Sequence, residues 1–166
     1  MINELYRLLK NKKNTLIVLQ DEKKEDIVSN FFSLSGGSVG VVSAKFPLLS
    51  NLEIVENIFL PLMYKRNLSL RQCCEKFYPW LKELDLEKIM WLRKEKLGSE
   101  EIFRAMFLRA LCTESEVVFF QYPQVSEIEL VIKFLKKLNI SRFLWILVTA
   151  KEAPKFYKFN FEQVEL

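Results

Sequence analysis

Residues 117–120 read Val-Val-Phe-Phe, and this run restricts the fold more than any other feature. It favours β structure and has no polar alternate, which marks a strand buried on both faces. Such a strand needs a layer above and a layer below it. The stretch before it supplies one. Ile102, Phe103, Met106, Phe107, Ala110 and Leu111 recur at helical spacing and form a broad apolar face. Ser99 is placed to cap that helix, and Glu100 and Glu101 fall in its first turn, where carboxylates are favoured. Residues 15–19, 38–42 and 143–148 read as further short strands. Between them, Asp21 caps a helix over residues 21–34 with Ile27, Val28, Phe31 and Phe32 inward, and Gly36 and Gly37 end it. Residues 127–138 put Ile128, Val131, Ile132, Leu135 and Leu138 on one helical face. The expectation is an α/β fold with a mostly parallel sheet flanked by helices.

The remaining segments fill in around that frame. Residues 2–10 predict a short surface helix with Leu5, Leu8 and Leu9, and the lysines at 10, 12 and 13 give a solvated basic end or a contact with anionic lipid. Residues 67–86 predict a helix capped by Ser69, and residues 86–96 a shorter one rich in Lys, Arg and Trp91. Residues 156–164 read as an edge strand or hairpin. With 14 Phe and only four Gly in 166 residues, the chain can bury a single core and is one domain rather than disordered. A net charge of +4 is too small to assign a partner. Trp80 and Trp91 lie near Lys and Arg, but their helical spacing fits core or partner contact better than a nucleic-acid face, and no nucleic-acid partner is expected. No apolar run reaches membrane-spanning length and no signal-peptide pattern opens the chain, so it is expected to be cytoplasmic, with no direct membrane insertion. The absence of histidine excludes His-dependent triads and a His general base. The three cysteines, with Cys73 and Cys74 adjacent, fit packing, and neither a metal nor a disulfide framework is expected.

Two stretches carry a resemblance. The first is Leu97-Gly98-Ser99-Glu100-Glu101, then Arg104 to Leu111, then Val117 to Pro123. The second runs from Val41 to Leu62 and includes Phe46-Pro47-Leu48-Leu49, Asn51-Leu52, Glu56-Asn57 and Pro61-Leu62. Together they resemble the ATP-binding subunits of ABC transporters, a P-loop NTPase fold. The pattern is nearest to the subunits of lipoprotein release, cell division and phospholipid transport. The likeness extends over about residues 15–149. It implies a core of residues 1–66 and 97–166, a helical subdomain at 67–96, and antiparallel N-terminal strands that are reduced or missing.

The resemblance fails where nucleotide would be held. The loop at residues 20–27, in the Walker A place, has no glycine to let backbone N–H groups converge on phosphate. Asp26 stands at the phosphate-binding lysine and Ile27 at the magnesium-binding hydroxyl. A carboxylate at ~4 Å from a phosphate charge is repelled by about 4 kcal/mol at an effective dielectric near ~20. Ala44 replaces the Q-loop glutamine, Gln121 and Tyr122 replace the Walker B carboxylates, and Ala150 replaces the switch histidine. Leu97, Gly98, Ser99, Glu100 and Glu101 form a degenerate signature.

These losses lead to the expectation of a pseudo-ATPase: not an enzyme, with no catalytic residues and no cofactor. The resemblance implies docking on a membrane permease through its cytoplasmic coupling helix, as a structural or regulatory component at the inner face of the cytoplasmic membrane. Phe46, Leu48, Leu49, Leu52, Met63 and Tyr64 are the candidate partner-binding residues, and a homodimer or heterodimer is the expected assembly. The alternative is a free cytosolic adaptor reusing the fold. A different active site has no carboxylate pair or nucleophile–base set to recommend it.

Overall fold

The computed structural model describes residues 2–10, 12–34 and 38–166. The predicted end of the second helix at Gly36 and Gly37 lies outside the described residues. Five strands form one sheet in the order β2-β3-β4-β1-β5: β1 Thr15–Leu19, β2 Val39–Val42, β3 Val117–Gln121, β4 Phe143–Thr149 and β5 Glu162–Glu165. Every pair is parallel, with Val41 opposite Phe119, Phe119 opposite Trp145 and Ile17 opposite both Leu147 and Val164. Among the described residues the only antiparallel pairing is an isolated bridge between Glu53 and Arg93.

Strand period sorts the side chains onto two faces. On one face, Leu16, Val18, Val42, Val118, Phe120, Leu144, Ile146 and Val148 enter the larger core. That core is completed by α3 (Ile54–Arg66), α4 (Leu70–Glu83), α5 (Ser99–Leu111) and α6 (Val125–Lys137). On the other, Ile17, Leu19, Phe119, Trp145 and Leu147 meet Leu5 and Leu8 of α1 (Ile2–Lys10) and Val28 and Phe32 of α2 (Glu25–Ser33). Phe32 stacks against Phe119 and Trp145, at 4.4 and 5.5 Å between ring centres. The buried indole of Trp145 donates to the Lys13 carbonyl at 2.9 Å.

Gly40 answers a close approach. A Cβ there would lie 2.4 Å from the Ala110 carbonyl oxygen, so only glycine lets β2 seat against α5. Ser69 caps α4 as expected, its Oγ accepting from Gln72 N at 3.2 Å while Gln72 Oε1 accepts from Ser69 N at 2.8 Å.

Several local expectations are corrected. Helix α5 begins at Ser99 itself, with Gly98 as the residue before it, because Glu101 reaches back to accept from Gly98 N at 2.9 Å. Asp21 is not the helix cap. It accepts from Lys23 N at 3.0 Å in a short 3-10 turn over Glu22–Lys24, and α2 starts only at Glu25. Ile27 consequently faces solvent, 42% exposed, while Val28 and Phe32 point inward. Residues 86–93 are turns rather than helix, followed by a 3-10 turn at Lys94–Lys96. They run alongside the start of α3, where the Leu92 and Met90 carbonyls accept from Ile54 N and Val55 N at 2.9 and 2.8 Å. A helix there could not offer those carbonyls to the unpaired N–H groups of α3. The last segment splits into a 3-10 helix at Ala153–Phe159 and the parallel edge strand β5.

Candidate functional site

In open parallel sheets, loops beyond the carboxyl ends of the strands carry the ligand-binding groups. Here the loops after β1, β2 and β3 converge on one side chain, Glu25 at the start of α2. Glu25 Oε1 accepts from Gln121 Nε2 at 2.8 Å and lies 2.8 Å from Lys45 Nζ. Glu25 Oε2 accepts from the Tyr122 hydroxyl at 3.1 Å. Lys45 also reaches Asp26 Oδ1 at 2.5 Å. Ser43 Oγ donates to Gln121 Oε1. Hydrogen bonds to Asp26 and then Glu25 raise the Lys45 ammonium above the ordinary lysine value, against a small opposing effect of burial.

Tyr122 sits at φ 51°, in the left-handed region that bulky side chains avoid. Its N–H donates to the Leu147 carbonyl at 2.9 Å, which holds it there at the end of β3. The cluster thus brings together Asp26, Gln121 and Tyr122 of the expected nucleotide positions. Ala44, between Ser43 and Lys45, is exposed. Ile27 points away, and Ala150 stands exposed in the turn after β4. Glu25, Lys45 and Ser43 were not singled out in the sequence. The signal available was a lone lysine beside Ala44, opposite in sign to Glu25 and Asp26.

These residues do not fit a magnesium–phosphate group. Two carboxylates share phosphate's sign, and their cation, Lys45, is held by both. Among the described residues no group of three or more His, Cys, Asp or Glu converges as a metal site.

A second constellation adjoins it. The segment from Phe46 to Glu53 is fastened from three directions. Buried Asn57 accepts from Leu49 N at 2.7 Å and donates to the Leu49 and Glu53 carbonyls at 3.0 and 3.1 Å. Arg109 donates to the Phe46 carbonyl, and at 2.9 Å to that of Pro47. Lys94 Nζ donates to the Leu48 carbonyl at 2.8 Å. Among the partner candidates, Tyr64 is 93% and Leu49 46% exposed, and Leu60, one turn before Tyr64, is exposed with them. Leu48 is corrected to core, at 1% exposure: Lys94 holds its carbonyl and Asn57 holds the neighbouring Leu49 backbone, which leaves the Leu48 side chain inward. Phe46, Leu52 and Met63 are half-buried, and Met63 packs against the main core.

At the signature positions, Leu97 packs on the core, Gly98, Ser99 and Glu100 are exposed, and Glu101 serves the helix start. Burial raises the Glu127 carboxyl above the ordinary carboxylate range; a hydrogen bond from the Gln124 backbone opposes this and the charge of Glu100 adds to it.

No family model matches the sequence, and no curated protein matches it. Solved structures do. A dimeric bacterial ABC transporter cassette, MJ0796, superposes with a TM-score of 0.70 at 17% identity, covering 93% of this chain and 81% of that one. The same cassette in a dimeric post-hydrolysis state, bound to ADP and Pi, gives a TM-score of 0.65 at 17% identity, with 82% and 75% covered. The chain has the fold of an ABC transporter cassette. This overturns the expectation that the chain is not an enzyme: its architecture is that of ATP-hydrolysing cassettes, and the cluster around Glu25 does not show this chain to be inactive. No helix among the described residues is long and apolar enough to cross a membrane.

Proposed function

We propose that the chain is a degenerate cassette subunit of an ABC-type membrane complex, of the lipid-transport, lipoprotein-release or cell-division kind. In this reading it docks on a permease through the permease's cytoplasmic coupling helix and acts there as a structural or regulatory component. The observation that carries the proposal is the segment from Phe46 to Tyr64 on a cassette fold. Its backbone is fixed by Asn57, Arg109 and Lys94, while Leu49, Leu60 and Tyr64 stay exposed. Leu60 and Tyr64 are one helical turn apart and so share a side of α3. Exposed apolar groups on a rigid frame suit an amphipathic helix laid against them. The cluster on Glu25 supports the degenerate reading of the nucleotide positions.

Within this reading residues 67–96 are a helical subdomain set into a core of residues 1–66 and 97–166. The role puts the chain at the inner face of the cytoplasmic membrane, paired with a second cassette, as the solved cassettes are dimeric. Leu49→Asp and Tyr64→Asp are expected to move the protein from the membrane to the soluble fraction with unchanged melting curves. Wild-type protein found only in the soluble fraction would favour the free adaptor instead. Met63 is the wrong target, because its packing on the core would mix docking with stability.

A further inference from the structure

A cleft of about 320 Å³ opens between the first turns of α5 and the carboxyl ends of β2 and β3. Its walls are largely apolar, with Pro47, Ile102, Phe103, Met106 and Phe120 among them, and Glu127 is the charged residue on its lining. Glu127 Oε2 is used, accepting from Gln124 N at 2.7 Å at the start of α6. Its other carboxylate oxygen makes no hydrogen bond to any described residue. At the α5 N-terminus, Glu101 already accepts from Gly98 N. An apolar cleft with one under-used carboxylate complements an apolar body carrying one positive charge.

We propose that this cleft binds a compact organic ammonium, its hydrocarbon part among Ile102, Phe103, Met106 and Phe120 and its ammonium group on Glu127. The site borders the docking segment at Pro47 but shares none of its exposed side chains Leu49, Leu60 and Tyr64, and it does not depend on docking. Burial and the neighbouring charge of Glu100 disfavour the ionised carboxylate, and an incoming cation would offset that cost.

The test is a titration of the full chain, labelled at its methionine methyls, with 2-phenylethylammonium and with neutral 2-phenylethanol of matching shape. The Met106 methyl is expected to shift saturably with the ammonium compound, which binds roughly tenfold more tightly than the alcohol, the size of one charge-assisted hydrogen bond. Glu127→Gln can still cap α6 and should bring the two compounds to within about twofold. Ala44→Leu, at an exposed wall position, should block both while the melting curve stays unchanged. No saturable Met106 shift with the ammonium compound would overturn the site. Equal affinity for the two compounds in the wild-type protein, or a preference that survives Glu127→Gln, would overturn the charge assignment.

Discussion

Two neighbouring regions meet their polar needs in opposite ways. The loop from Phe46 to Glu53 is held by bonds from side chains to its own backbone, with Asn57 buried at 1% exposure. The cluster at the ends of β1, β2 and β3 is held by bonds between side chains, mostly half-exposed ones. Bonds to buried backbone are costly to break, because the orphaned group cannot reach water. Half-exposed ion pairs are cheap to break, because water replaces the partner. The Phe46–Glu53 loop should therefore be stiff and the polar cluster adjustable.

The largest expected effect tests the stiff half. Asn57→Leu strands the Leu49 N–H, while the Leu49 and Glu53 carbonyls keep their bonds from Leu52 N and Asn57 N, and should cost about 2–3 kcal/mol in denaturant unfolding. A loss below ~1 kcal/mol would show that the loop does not depend on that side chain. Next, Gly40→Ala should cost about 1–3 kcal/mol, since the added methyl meets the Ala110 carbonyl and must push β2 off α5. Arg109→Met removes two bonds to the carbonyls of Phe46 and Pro47 and should cost about 1–2 kcal/mol. Were it neutral, the loop would be fixed by Asn57 and Lys94 alone.

The adjustable half should respond weakly. Lys45→Met is expected to cost no more than about 1 kcal/mol, its side chain being 37% exposed. Its pH dependence has a definite sign. The Lys45 value is raised in the folded state, so its contribution is complete below the ordinary lysine value and fades as pH rises through the raised one. The difference between wild type and Lys45→Met should therefore close under alkaline conditions. Glu127 has the same sign, in the acidic range. Its carboxyl is raised by burial, so folding favours the protonated form and stability declines as pH climbs from the ordinary carboxylate range through the raised value. Glu127→Gln should flatten that decline in a melting series across acidic pH.

The same contrast explains what the sequence disclosed. Strands with continuous apolar runs, such as Val117 to Phe120, could be read directly, since burial on both faces leaves no other pattern. The cap at Ser69 was legible because its partner Gln72 is three residues away. The frame around Leu49 was half legible. Asn57 lies beside Glu56 among the apolar positions of α3, and nothing local shows that it is the buried one of the two or that it holds Leu49. The cluster was opaque, because Glu25 and Gln121 are brought together only by the sheet. Ile27 misled because the 3-10 turn delays α2 until Glu25 and turns the helix face with it.

The exposed side of α3 is proposed to meet a permease. Replacing Tyr64 with a photoreactive benzoylphenylalanine, and irradiating cells that carry the protein, tests it at that side chain. The prediction is a crosslink to a cytoplasmic loop of a polytopic membrane protein, absent when the same group replaces Tyr157, which is also exposed, in the 3-10 helix at Ala153–Phe159. Crosslinks to soluble proteins alone, or the same membrane product from both positions, would contradict it.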